Sequence, residues 1–190
     1  MRLYLIRHAQ VQMQPAQDAK LWSLSTTGQQ QAEYLATLPF WDEVTQVVVS
    51  SEAKTRLTIA PVLTQRHLPV QVDPRFDELH RPGGWVDDYA TQVQRAFANP
   101  TQAAGEWEPA AVALARFQAG IADLCQHFAD TTIALVGHGL TFSLYRAHLL
   151  GHERVRFADW QQLAFAAVAL VDPITPQLLA DFRPLDLITE

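Results

Sequence analysis

The sequence predicts an α/β protein, a three-layer sandwich with a mostly parallel, mixed central sheet and helices on both faces. Three observations carry this. Short, nearly all-apolar runs at residues 2–6, 46–50 and 132–136 lack polar alternation, as strands buried on both faces do. Stretches with apolar residues at helical spacing separate them. Two further runs, 163–171 and 177–182, are joined by Asp172-Pro173-Ile174-Thr175-Pro176, a link short enough for a hairpin.

Along the chain, Arg2 to Ile6 is the first strand and ends in Arg7-His8. Residues 10–20 are polar, carry Pro15 and read as a loop. A helix starts near Thr27, capped by Ser25 or Thr26. It buries Ala32, Leu35 and Ala36 and stops at Pro39. Gln46 to Ser50, with Val47-Val48-Val49, is the second strand. The next helix runs from Glu52 to about Leu63 and is expected to kink or end at Pro61, which lacks a backbone N–H. Pro69 to Val72 is a third, short strand. Residues 79–108 break the pattern: Gly83-Gly84, two tryptophans and Asn99-Pro100 punctuate them, with one helical stretch marked by Tyr89, Val93, Ala96 and Phe97. They read as an insertion folding over a site, within a single domain spanning residues 1–190. A long helix follows from about Pro109, a good first helical residue, to Phe128, with Leu114, Phe117, Ile121, Leu124, Cys125 and Phe128 as its core stripe. Thr132 to Val136 is the next strand. It ends in Gly137-His138-Gly139 and feeds a helix that runs through Leu150 and closes at Gly151.

Composition narrows the function classes. Of 190 residues, 48% are hydrophobic and 18% charged, which suffices for a sizeable core and argues against disorder. A net charge of −6 provides no basic face for nucleic acid. No apolar run approaches the roughly 20 residues of a membrane span, and the first apolar run turns polar too soon for a signal peptide. A single cysteine, Cys125, cannot form a disulfide within the chain and suits a reducing compartment. The expectation is a cytoplasmic protein with neither nucleic acid nor membrane as partner. The oligomeric state is open.

Two apolar strands thus end in histidines, His8 and His138. If they are parallel neighbours, both imidazoles meet above one sheet edge, where open α/β sheets bind ligands. Arg7 and Lys54 add cations at comparable strand ends, and Glu78 follows the third strand. Such a set suits phosphoryl transfer. A phosphate monoester carries about −1.5 to −2 charge near neutral pH. Arginine clamps its oxygens, and the N–H groups after Gly137, at a helix start, add donors. A neutral histidine is a nucleophile and a carboxylic acid protonates the leaving alkoxide. Asp77 and Glu52 rival Glu78 as the acid. Glu108 and Arg116 read as a structural ion pair, His80, Arg81 and Trp85 as lining for an entrance or a solvated loop. His67, His127, His148 and His152 read as surface or helix-end residues, and the Trp and Phe residues chiefly as core.

In order, Leu5-Ile6-Arg7-His8-Ala9, Leu24 to Ala32, Ser50 to Thr58, Phe76-Asp77-Glu78, Gly105-Glu106-Trp107-Glu108 and Val136-Gly137-His138-Gly139 resemble the motifs of the histidine phosphatase superfamily, the phosphoglycerate mutase-like fold. The resemblance implies that His8 is phosphorylated. It implies that Arg7, Lys54, His138 and the Gly139 position hold the phosphoryl group, and that Glu78 is general acid, then base. It implies no metal and no other cofactor, and a small phosphorylated metabolite as substrate. Two departures stand out. Ala9 replaces the family's glycine. The second cation is ambiguous, because counting back four from Thr58 gives Lys54 while Arg56 is the only arginine nearby; Lys54 is preferred. A phosphomonoester phosphatase is the first reading. A phosphoglycerate mutase-type phosphotransferase and a catalytically silent phosphate-binding module are the alternatives.

Overall fold

The computed structural model describes residues 1–82 and 86–187. Its strands are β1 (Arg2–Arg7), β2 (Gln46–Val49), β3 (Val70–Val72), β4 (Thr132–Gly137), β5 (Val168–Asp172) and β6 (Gln177–Arg183). They form one six-stranded sheet in the order β3-β2-β4-β1-β5-β6. The pairs β2·β3, β2·β4 and β1·β4 are parallel, and β1·β5 and β5·β6 antiparallel. The most apolar segments thus occupy the centre, where both faces are covered.

The helices are α1 (Thr26–Leu35), α2 (Ala53–Arg66), α3 (Tyr89–Ala98), α4 (Ala110–His127), α5 (Gly139–Leu149) and α6 (Phe157–Gln162). Strand alternation divides the core in two. Tyr4, Ile6, Val47, Val49, Ala134 and Val136 pack against Ala32 and Leu35 of α1 and Ile59 and Val62 of α2. Leu3, Leu5, Val48, Ile133 and Leu135 pack against Phe117, Ile121 and Leu124 of α4 and Phe142 and Tyr145 of α5. A third cluster joins Val93, Ala96 and Phe97 of α3 to Trp107, to Ala110 and Ala113 of α4, and to Leu140 and Leu144 of α5. None of the described helices is long and apolar enough to cross a membrane.

Local signals explain the helix ends. Ser25 caps α1 by accepting the Gly28 N–H at 3.0 Å. Gly151, at φ 68°, supplies the left-handed turn after α5. Three expectations are corrected. Pro61 does not end α2, which continues to Arg66 and closes on His67 in the left-handed conformation. The carbonyl that Pro61 cannot serve belongs to Leu57, on an exposed face where water can reach it. Pro109 is the residue before α4 rather than its first. The run 163–171 is not one strand. α6 precedes it, residues 163–167 form a turn with Ala166 at φ 57°, and pairing starts at Val168. An all-apolar run fits a buried turn as well as a strand, and here the turn supports the neighbouring Arg7-His8.

Candidate active site

Strand register brings the two histidines together. β1 and β4 run side by side with Arg7 opposite Gly137, so the next residue of each is a histidine. The His8 N–H donates to the Gly137 carbonyl at 2.9 Å, and the two imidazole centroids lie 5.3 Å apart. Lys54 comes from the first turn of α2, and Glu78 follows the helical turn Pro74–Phe76 after β3. Arg7, His8, Lys54, Glu78 and His138 line one cleft of about 180 Å³.

His8 is buried, and its Nδ1 lies 2.8 Å from the Ala9 carbonyl. A carbonyl only accepts, so Nδ1 carries the proton and Nε2 keeps its lone pair. Burial, followed by the positive neighbourhood of His138, Arg7 and Lys54, holds the imidazole pKa well below its usual 6.5. The Ala9 methyl joins the core, its N–H donates to Thr58 Oγ1 at 2.9 Å, and its φ is not in the left-handed region. Alanine therefore replaces glycine without backbone strain.

The Arg7 guanidinium stacks 4.2 Å from the Phe165 ring centroid, donates to the Leu163 carbonyl and leaves a buried Nε without a partner. It also packs on Gly139, where a Cβ would stand 3.0 Å from Arg7 Nε. Gly139 thus gives the arginine room, and a side chain there would press the guanidinium aside by a few tenths of an ångström.

Burial separates the two candidates for the second cation. Lys54 is 5% exposed and lines the cleft, whereas Arg56 projects from the exposed face of α2. Lys54→Ala is expected to lower kcat/KM by about 100-fold, as loss of one charge-stabilising donor does, and Arg56→Ala to leave it unchanged. Steady-state kinetics of the two variants checks this.

Lys54 does not stand free. Its Nζ contacts Glu52 Oε2 at 2.5 Å, and Glu52 is itself 4% exposed. Glu52 Oε1 accepts the Glu78 N–H at 2.9 Å and lies 3.7 Å from His138 Nε2. Burial pushes the Glu52 carboxyl up, but His138, Lys54 and the Glu78 N–H outweigh it and hold the group well below the usual carboxylate range.

His138 is fully buried, and burial lowers its pKa. Its Nε2 lies 2.7 Å from Ser50 Oγ, which also accepts the Glu52 N–H at 3.2 Å. Ser50 Oγ also lies 3.2 Å from Thr55 Oγ1, so the serine proton has two acceptors in reach, and His138 Nδ1 has no hydrogen-bond partner among the described residues.

Glu78 corrects one expectation. The N–H groups of Leu140 and Thr141 do not face an open anion site; they donate to Glu78 Oε2 at 3.0 Å and Oε1 at 3.1 Å. A carboxylate at a helix N-terminus satisfies these donors and the dipole together. Arg116 fixes the backbone beneath it, donating to the carbonyls of Arg75, Asp77 and Glu78 at 2.7 to 2.8 Å while paired with Glu108. Of the rival acids, Glu52 is committed to Lys54, and Asp77 accepts from Ser51 N–H and Oγ–H and lies 3.7 Å from Lys20.

Around this set, Arg81 and Tyr89 of the 79–108 segment line the cleft. His80 is exposed near Glu108, and Trp85 lies outside the described residues. His67, His127, His148 and His152 are exposed. Trp41, Phe76, Phe117 and Phe142 are core, but Trp22, Trp160 and Phe165 line the cleft, contrary to the expectation for aromatics as a class. In the sequence Ser50 reads only as the end of the second strand and the start of the Ser50 to Thr58 motif, and Phe165 lies inside an apolar run.

Solved structures share this fold. Bacillus stearothermophilus YhfR matches with a TM-score of 0.77 at 19% identity, covering 96% of each chain. Alpha-ribazole phosphatase from Shigella flexneri matches at 0.72 and 24% identity, covering 96% of this chain and 95% of that one. Mycobacterial glucosyl-3-phosphoglycerate phosphatase in complex with VO3 matches at 0.69 and 25% identity, covering 90% and 92%. No curated protein matches in sequence. The family model of the histidine phosphatase superfamily (branch 1) matches residues 3–175. The chain belongs to that superfamily.

Proposed function

We propose that this protein is a phosphomonoester phosphatase that works through a phosphohistidine on His8. The observation that carries the reading is the Nδ1 contact of His8 with the Ala9 carbonyl, which leaves Nε2 unprotonated in a cleft that also holds Arg7 and Lys54. His8 Nε2 attacks phosphorus, an N–P bond forms, and the ester P–O bond breaks. Glu78 gives its proton to the departing oxygen. As a carboxylate it then takes a proton from water, which attacks phosphorus, breaks the N–P bond and releases inorganic phosphate. Arg7, Lys54, His138 Nδ1–H and the Gly139 N–H hold the non-bridging oxygens. Arg7 and Lys54 supply the positive charge, so a metal ion is not required. The substrate is a small phosphorylated metabolite.

The test is turnover of 4-nitrophenyl phosphate in EDTA as a function of pH. Because burial and neighbouring cations lower the His8 pKa, the imidazole stays neutral as pH falls through 6.5. Accordingly kcat, which reports the bound complex, is expected not to fall from pH 7.5 down to about 5.5, since His8 stays neutral and acid favours the protonated form of Glu78 that the first step uses. A loss of kcat centred at 6.5 or above would overturn the nucleophile assignment. Absence of turnover in EDTA, restored by a divalent ion, would overturn metal independence. Release of inorganic phosphate, rather than isomerised phosphoglycerate, separates hydrolysis from mutase activity.

A further inference from the structure

The phosphoryl set occupies only the floor of the cleft. Its walls are apolar. Val11, Met13 and Trp22 rise on one side and Trp160 and Phe165 on the other, with Val86 from the 79–108 segment. Phe165 stands beside the reaction centre itself, 5.6 Å from the His8 ring. Met13 is 60% exposed, a large apolar side chain left at the rim.

The polar atoms of these walls are few, and most are already used. The Trp22 indole N–H donates to the carbonyls of Gln14 and Gln17, both at 3.1 Å, so Trp22 presents carbon to the cleft. Arg81 donates to the Tyr89 hydroxyl at 3.3 Å and lies over the Tyr89 and Trp107 rings. Above the phosphoryl set, the described walls offer no side-chain carboxylate or amide as acceptor for a substrate hydroxyl. A sugar or polyol would give up water there for few replacement bonds, since beside Arg81 Nε the walls are chiefly carbon, at a cost in binding for each unmatched hydroxyl. An apolar group would instead shed its own ordered water. The cleft volume of about 180 Å³ includes the phosphoryl floor, so the space left for the alcohol portion is no larger than the roughly 150 Å³ in which an apolar cavity takes up benzene.

We infer that the alcohol portion of the substrate is apolar and about one ring in size, an arylalkyl or branched alkyl phosphomonoester rather than a sugar or polyol phosphate. This rests on the phosphoryl reading of the site.

The experiment separates ligand class from catalysis. Calorimetry measures binding of two non-hydrolysable phosphonates to the wild-type protein, benzylphosphonate and 2,3-dihydroxypropylphosphonate. Benzylphosphonate is expected to bind about 30-fold more tightly, the size of effect that burying one ring produces. In Met13→Ser, an exposed position where folding is not at risk, the ratio should narrow. Equal affinities, tighter binding of the diol, or binding of neither would overturn the inference. Turnover is then compared between benzyl phosphate and glycerol 3-phosphate, both esters of primary alcohols, so that leaving-group acidity does not decide the outcome. Preferential binding of benzylphosphonate without turnover of benzyl phosphate would uphold the ligand class and overturn the phosphatase reading instead.

Discussion

His8→Ala is expected to lower kcat by about 10⁵-fold or more, the scale on which removal of a covalent nucleophile acts. No neighbour substitutes for it. The other imidazole in the cleft, His138, is fully buried with Nε2 held against Ser50, so it is not free to take the place of His8. The variant should still fold, because the ring's hydrogen bond to the structure is the one to the adjacent Ala9 carbonyl. Rapid quench with a ³²P-labelled ester gives the direct readout. Wild-type protein should acquire an acid-labile, base-stable label and His8→Ala none, while Glu78→Gln should slow both formation and loss of the label. A fully active, labelled His8→Ala protein would remove His8 from the mechanism.

Glu52→Gln has the largest expected effect on stability. The amide keeps an acceptor for the Glu78 N–H but removes the charge that faces Lys54 across 2.5 Å, leaving a buried ammonium alone. Breaking one partner of a buried ion pair costs about 3–5 kcal/mol. At roughly 2–4 °C per kcal/mol for a chain of this size, Tm should fall by about 6–20 °C. Inorganic phosphate should restore part of that loss, because Lys54 gains a new anion and a ligand bound only to the folded state stabilises it. Adding Lys54→Met should recover most of the Tm without recovering activity, since it removes the unpaired buried ammonium that costs the stability. The same pair sets an acid dependence. The folded Glu52 pKa lies below the unfolded value of about 4.3, so its contribution is complete above that value and is lost as pH falls towards the folded one. Glu52→Gln should flatten this part of the stability profile. A Tm within 2 °C of wild type would show that the pair is not structural.

Most elements followed from pattern alone. Val47-Val48-Val49 and Ile133 to Val136 have no polar residue to place on a solvated face, so they had to be central strands. Ser25 announced α1, and Gly151 the end of α5. The failures are as local. Pro61 lies within a helix because the carbonyl it leaves unserved faces water, and exposure is not written in a proline's neighbours. Leu163 to Ala167 reads as strand because a buried turn and a buried strand have the same composition.

The candidate site divides along the same line. The sequence by itself determined that His8 and His138 terminate apolar strands, that Glu78 follows a third, and that cations precede or follow them, since strand ends are set by short-range hydrophobic pattern. Only the tertiary structure decided which side chains meet. The parallel pairing of β1 with β4 set the imidazoles 5.3 Å apart. Burial on one face of α2 put Lys54 in the cleft and left Arg56 outside it. Contact across 26 residues tied Glu52 to the Glu78 backbone, and across 62 gave Glu78 the N-terminus of α5. These are long-range hydrogen bonds and ion pairs, whose partners are fixed by packing of whole elements and leave no periodicity in the chain.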